Sequence, residues 1–134
     1  MIQRIQSILL FISVITTACF LFVFPYYITL DDTPILAMDN MVLLGLGAIS
    51  MILSLITIFL FKDRKKQMML CTVNIITILV TCAWVIYSMY TIQDTIQANG
   101  FGVYFIAFSY IAISFARKNI KKDQALVDSV DRIR

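Results

Sequence analysis

Long runs of apolar residues, separated by short polar segments, dominate this chain of 134 residues. Four runs contain no Asp, Glu, Lys, Arg or His, and they cover residues 7–27, 41–61, 68–91 and 98–116. An α-helix of about 20 residues crosses the hydrocarbon core of a bilayer, which is about 30 Å thick. The pattern therefore predicts an all-α integral membrane protein with four spanning helices. The most apolar part of the fourth run, residues 101–116, is shorter than the other runs, and we expect its helix to recruit Ala98, Asn99 and Gly100.

The distribution of charge predicts how these helices are oriented. All eleven Lys and Arg residues lie in three segments, which are residues 1–6, 62–67 and 117–134. The two other connections, residues 28–40 and 92–100, contain aspartates but no Lys or Arg. Because cytoplasmic loops are enriched in Lys and Arg, we expect both termini and the basic turn to be cytoplasmic. The prediction is an up-down-up-down four-helix bundle with N-in/C-in topology.

The composition supports a lipid environment. Hydrophobic residues make up 60% of the chain and charged residues only 14%, with a mean hydropathy of +0.89. Ordinary soluble domains are about 45–50% apolar and about 25% charged. At this length we expect a single integral membrane domain over residues 1–134.

Small and polar residues recur on one face of each run, and membrane helices associate through such faces. We expect the following residues to point inward: Ser13, Thr16, Thr17, Gly47, Ser50, Ser54, Thr57, Asn74, Thr77, Thr81, Ser88, Gly102, Ser109, Ala112 and Ala116. The same column of hydroxyl groups around Asn74 is alternatively a polar path or a binding cleft. Helix packing is favoured, because no Asp, Glu, Lys, Arg or His lies inside a run.

Aromatic residues form a second pattern near the acidic connections. They are Tyr26, Tyr27, Trp84, Tyr87, Tyr90, Phe101, Tyr104, Phe105 and Phe108. Interfacial anchoring and ring packing explain such a layer. The alternative is a site for a flat hydrophobic ligand.

The C-terminal segment, residues 117–134, is predicted to be an amphipathic cytoplasmic helix. Its apolar face is a candidate docking face, formed by Leu126, Val127, Val130 and Ile133. It lies either on the membrane surface or against protein. Eight cations near the same surface are candidates for contact with anionic headgroups or a partner. They are Lys62, Arg64, Lys65, Lys66, Arg117, Lys118, Lys121 and Lys122.

The residue types that are absent limit the possible chemistry. The chain has no His and no Glu, which removes the commonest general base and metal ligand. Cys19, Cys71 and Cys82 all lie in apolar runs and are interpreted as packing residues. Asp31 and Asp32 are the strongest candidates for binding a divalent cation, but adjacent loop carboxylates are ordinarily solvated. We therefore expect no catalytic, cofactor or metal site, and no enzymatic activity.

Both ends of the chain resemble a known family. Residues 1–6 and 120–134, together with Gln67, Leu70 and Asn74 after the basic turn, are similar to small bacterial membrane proteins catalogued as domain of unknown function 4293. The resemblance implies a bacterial inner membrane and carries no activity or site residues. Gln124 departs from the family pattern, which often has an acidic residue there.

These observations lead to two functional hypotheses. The first is a non-enzymatic membrane protein that binds a partner, or has a structural or assembly role, through its cytoplasmic face. The alternative is a small carrier or a protein that binds a lipid or hydrophobic ligand, which requires a cavity beside Asn74 or Thr81. No nucleic-acid partner is expected.

Overall fold

The computed structural model describes residues 2–133, and the side chains of residues 5–132. Four α-helices account for most of this part of the chain: α1 (Ile2–Phe22), α2 (Met41–Phe59), α3 (Arg64–Thr91) and α4 (Gly102–Ile133). By length and composition, three helical segments are able to cross a membrane, and these are residues 5–22, 41–59 and 64–91. The apolar part of α4 is shorter, because charges begin at Arg117.

The helices surround one core. α1 packs against α2 and α4, and α3 packs against the same two helices. Buried side chains from all four helices meet there, including Leu10, Phe20, Leu43, Ile78 and Ile113. Large apolar side chains are exposed on the outer faces, including Ile8, Phe11, Ile52, Phe59 and Ile86. Apolar exposure on this scale is rare in soluble monomers and is expected of a multi-pass membrane protein.

A small antiparallel sheet joins the two acidic connections, for which the sequence pattern predicts no regular structure. Its strands are β1 (Tyr27–Thr29), β2 (Pro34–Ile35) and β3 (Ile96–Asn99), in the order β2-β1-β3. Tyr27 pairs with Ile35 on one side and with Asn99 on the other. The sheet therefore ties the connection after α1 to the connection before α4.

Two predicted helix boundaries next to the sheet differ in the structure. The first helix ends at Phe22 rather than at residue 27, because Pro25 disfavours helical backbone at the residue before it. The fourth helix begins at Gly102 and does not recruit residues 98–100, since their backbone pairs with β1 or lies against it. The Gly100 N–H donates to the Tyr26 carbonyl at 3.0 Å.

The C-terminal segment is not a separate helix. α4 runs without a break from Gly102 to Ile133, and no Gly or Pro interrupts it after its first residue. Ile120 is fully buried and Asp123 is 6% exposed, so α4 remains packed to Asp123. Most of the helix after Asp123 extends beyond the core with exposed side chains.

Asn74 is the centre of a polar network inside the core. Its Nδ2 donates to Ser54 Oγ at 2.7 Å and to the Ser50 carbonyl at 3.2 Å. The Ser50 hydroxyl donates back to Asn74 Oδ1 at 2.7 Å. These three bonds join α3 to α2 at a point where the Asn74 side chain is almost fully buried.

The network continues through the other two helices. Ser13 Oγ lies 2.9 Å from Ser54 Oγ, which links α1 to α2. Ser109 Oγ donates to the Ser13 carbonyl at 3.0 Å and lies 2.7 Å from Thr17 Oγ1, which links α4 to α1. All four helices thus share one chain of hydrogen-bonded polar groups.

The predicted inward faces are confirmed for most of their members, which are buried. Three are only partly buried, and each donates to a carbonyl of its own helix: Thr16, Thr77 and Ser88. A hydroxyl that is hydrogen-bonded to a carbonyl of its own helix needs no partner on another helix. These residues can therefore lie at the edge of the core.

Gly100 provides a test of the junction between the sheet and α4. A Cβ at Gly100 would lie 2.0 Å from the Pro25 carbonyl oxygen, and backbone cannot move aside as a side chain can. We expect Gly100→Ala to lower the free energy of unfolding by about 1–3 kcal/mol, as overpacking does. Gly45→Ala is the control, since a Cβ there meets nothing within 4 Å. Thermal unfolding in detergent measures both, and an equal loss would contradict the close approach.

Asn74→Ala tests the polar network. The substitution leaves the buried Ser50 and Ser54 hydroxyls without their Asn74 partner, and we expect a loss of about 1–3 kcal/mol. Thr77→Ala, one turn away in α3, removes only a bond to the Val73 carbonyl. That control should change stability by less than about 0.5 kcal/mol. Unfolding by a denaturing detergent compares the two variants, and a larger loss from Thr77→Ala would rule out a central role for Asn74.

Candidate functional site

A groove opens at the end of the helical core opposite the sheet. It has a volume of about 690 Å³ and lies between the turn from α2 to α3 and the extension of α4. We call it the basic groove, and its lining residues are Phe61, Lys62, Asp63, Arg64, Lys65, Gln124 and Val127. Three cations and one carboxylate give this lining a formal charge of +2.

The buried side chain of Asp123 holds α4, which forms one wall of the groove, close to the turn that forms the other wall. Asp123 accepts a hydrogen bond from Gln6 Nε2 of α1, and both side chains are buried. Arg64 Nη1 donates to the Asp123 carbonyl oxygen at 3.0 Å. We call Gln6, Arg64 and Asp123 the polar clamp. It joins α1, α3 and α4 directly beside the groove.

The charge pattern of the sequence does not predict the clamp, because Asp123 lies in a tail segment rich in solvated charges. The available signal was helical spacing. Asp123 follows Ile120 by three residues and Ala116 by seven, which places all three on one helix face. Since that face is buried at Ile120 and Ala116, Asp123 requires a polar partner inside.

The turn itself is held by side-chain caps. Asp63 accepts from the Lys66 backbone N–H at 3.2 Å and pairs with Lys66 Nζ at 3.1 Å. The backbone hydrogen bond from Lys66, followed by its side chain, holds the pKa of Asp63 below its ordinary value. Gln67, buried at the start of α3, donates to the Thr57 carbonyl at 3.1 Å. These bonds fix the backbone that presents Lys62 and Lys65.

The eight predicted contact cations are distributed over several features at this end of the protein. Lys62, Arg64 and Lys65 line the basic groove, while Lys66 pairs with Asp63. A second depression of about 320 Å³ lies between α3 and α4. Its lining residues are Ile75, Tyr110, Ser114, Arg117, Lys118 and Lys121. Lys122 is exposed on α4.

The predicted docking face of the tail is only partly associated with the groove. Val127 lines it, whereas Leu126 and Val130 are 59% and 60% exposed on the free part of α4. The Ile133 side chain lies outside the described residues. The described part of this face thus continues the apolar surface that begins inside the groove.

The polar core offers little space for a ligand. Beside Thr81 there is a cavity of about 10 Å³, with Thr17, Ser50 and Ser109 also among its lining residues. A cavity of this size holds at most one water molecule. The space that a carrier or ligand-binding protein requires beside Thr81 is therefore not found there.

The aromatic layer divides into two groups. Phe24 and Phe105 stack with ring centroids 4.6 Å apart, and Tyr26 is buried with its ring edge-on to Tyr27 at 4.5 Å. The outward group is exposed and consists of Tyr87, Tyr90, Phe101, Tyr104 and Phe108. Ring packing accounts for the first group, and the exposure of the second is what the predicted interfacial anchoring requires.

Asp31 and Asp32 lie exposed in the turn between β1 and β2. Asp32 has φ of 56°, a left-handed conformation that aspartate adopts more readily than most residues. Within residues 2–133, the structure groups no three Cys or Asp side chains in a way that could hold a metal ion. Asp32 has a local role in the turn through this left-handed backbone conformation.

Asp123→Ala tests the polar clamp. The Gln6 amide then stays buried without its acceptor, and we expect a loss of about 1–3 kcal/mol in the free energy of unfolding. Proteolysis should also cut α4 sooner near residue 123, because the clamp no longer holds this part of α4 to α1. Asp123→Asn keeps a carbonyl acceptor and should recover much of the stability.

The control for this test is Asp131→Ala, which removes the same charge from an exposed position of α4. It should leave both unfolding and proteolysis unchanged within about 0.5 kcal/mol. If Asp123→Ala behaves like Asp131→Ala, the clamp does not hold α4.

Comparison with known proteins yields one relationship. No curated protein and no solved structure matches the chain significantly. The sequence model of a family described as a domain of unknown function, DUF4293, matches residues 2–133. That match covers nearly the whole chain and agrees with the resemblance of its two ends. The chain therefore belongs to the DUF4293 family.

Proposed function

We propose that this chain is a non-enzymatic, multi-pass protein of the bacterial inner membrane whose basic groove binds an acidic segment of a protein partner. The observation that carries the proposal is the groove itself. It combines cationic side chains with apolar ones in a volume of about 690 Å³. In comparison, the cavity in the helical core is about 10 Å³, which favours action at the surface over transport or binding of a ligand inside.

The proposed topology is a four-helix bundle with both termini in the cytoplasm. Its support is that Gln6, Arg64 and Asp123 meet at the groove end, while the sheet gathers the connections that lack Lys and Arg at the other. The positive-inside rule then assigns the groove to the cytoplasm. α4 has only 15 apolar or uncharged residues before Arg117. It crosses with the help of Arg117 and Lys118, whose long side chains reach toward the headgroups.

The lining of the groove defines the chemistry of the partner. Lys62 and Lys65 are exposed and carry unburied charge, so carboxylates of a partner bind there without a large desolvation cost. Phe61 is 51% exposed beside them, and Val127 is 41% exposed on the opposite wall. An amphipathic segment with acidic and apolar side chains matches both features. Leu126 and Val130 extend the apolar contact along α4.

A photo-crosslinking amino acid at position 61 tests this proposal in the full-length protein in native membranes. We expect an adduct with a protein, mapped by mass spectrometry to an acidic segment. Lys62→Glu with Lys65→Glu should reduce the yield at least about 10-fold, since two attractive contacts become repulsive. Val127→Asp should reduce it as well.

The matched control is Lys122→Glu with Arg132→Glu, a double charge reversal at exposed positions of α4 outside the groove. It should leave the adduct in place. Adducts with lipid alone, or protein adducts that both double reversals reduce equally, would contradict a specific groove. Substitutions suit this test better than removal of residues 119–134, because truncation also removes the buried Ile120 and Asp123.

A further inference from the structure

The second depression, between α3 and α4, differs from the basic groove in that its lining contains cations but no carboxylate. We infer that it binds one anionic phospholipid, with the headgroup phosphate at Arg117 and Lys121 and an acyl chain along Ile75 and Tyr110. We call it the lipid cleft. The inference rests on the proposed membrane location but not on the groove or its partner.

The cleft is a continuous stripe of α4 with α3 as its second wall. Tyr110, Ser114, Arg117 and Lys121 follow one another at spacings of four, three and four residues, which places them on one helix face. Ile75 of α3 lines the same space of about 320 Å³. From Tyr110 to Arg117 the helix rises by about 10 Å, so the apolar end of the cleft takes the part of an acyl chain nearest its headgroup.

Polarity changes along this stripe in the order that a phospholipid requires. Ile75 and the Tyr110 ring, which is 39% exposed, occupy the end toward the middle of the helical core. The Ser114 hydroxyl lies between, and Arg117, Lys118 and Lys121 occupy the other end. A free phosphate ion would use only the cationic end. An anionic headgroup with an attached acyl chain uses the whole cleft.

The charge of the cleft is uncompensated by the protein. Its lining contains three cations and no carboxylate. In the part of the chain that the structure describes, the one salt bridge within 4.0 Å joins Lys66 and Asp63, neither of which lines the cleft. Basic side chains at the cytoplasmic surface attract anionic lipids. Two basic side chains next to the apolar end of the cleft favour the binding of one lipid molecule at this position over diffuse attraction of many.

Native mass spectrometry of the purified full-length protein in detergent tests the inference. Phosphatidylglycerol and phosphatidylcholine with identical acyl chains serve as probes. We expect one phosphatidylglycerol molecule to be retained in preference to phosphatidylcholine. Arg117→Ala with Lys121→Ala should weaken that binding about 10- to 30-fold, given the usual attraction per basic side chain and the tenfold-per-1.4-kcal/mol conversion.

Two further variants and one competitor distinguish binding in the lipid cleft from diffuse attraction and from a soluble-anion site. Lys62→Ala with Lys65→Ala removes the same charge from the basic groove and should change lipid binding less than about twofold. Ile75→Trp keeps every charge but fills the apolar end, and it should weaken binding at least about 5-fold while the helical content by circular dichroism is retained. Millimolar inorganic phosphate should not displace the lipid.

Specific outcomes overturn the inference. Equal losses from the two double variants would mean diffuse surface attraction, and full binding by Ile75→Trp would remove the acyl chain from the cleft. Displacement by inorganic phosphate would indicate a site for a soluble anion. Failure here is distinguishable from failure of the proposed partner binding, because the crosslink at position 61 depends on Lys62 and Lys65 and not on Arg117 or Lys121.

Discussion

The contact of Asp123 with Gln6 and Arg64 is the constraint on which the basic groove depends. A carboxylate that is 6% exposed must have polar partners, because a buried charge without them is strongly destabilising. Gln6 of α1 donates a hydrogen bond to the Asp123 carboxylate. Arg64, at the start of α3, donates to the backbone carbonyl of Asp123. Together they place the extension of α4 beside the turn and so create the two walls of the groove.

A lipid environment explains why the core of the protein is devoted to helix packing while its depressions lie at the polar end. Lipid is as apolar as a leucine side chain, so the helices gain little from burying apolar surface and rely on close packing and polar bonds. The network around Asn74 meets that need, and the cavity of about 10 Å³ beside Thr81 holds at most one water molecule. The proposed recognition therefore takes place at the polar end, where the basic groove and the depression between α3 and α4 have different lining residues.

The regular helices were predictable from apolar length, and α2 begins at Met41 as the pattern indicated. The inward face of Asn74, Ser50 and Ser54 followed from helical spacing alone. The sheet was not predictable in the same way, since strands of two to four residues are too short to show alternation. The clamp was not predictable from local sequence either, because Asp123 sits in a charged segment, where burial depends on the partner helix α1.

The orientation in the membrane is the most direct test of this account. Cys19, Cys71 and Cys82 are first replaced by alanine. One new cysteine is then introduced, either Lys65→Cys at the groove or Asp94→Cys before β3. Both variants are treated with a membrane-impermeant maleimide in cells whose outer membrane has been removed. We expect labelling of Asp94→Cys while the inner membrane is intact, and of Lys65→Cys only after that membrane is permeabilised. Labelling of Lys65→Cys in intact cells, with Asp94→Cys protected, would place the groove outside and contradict the proposed cytoplasmic function.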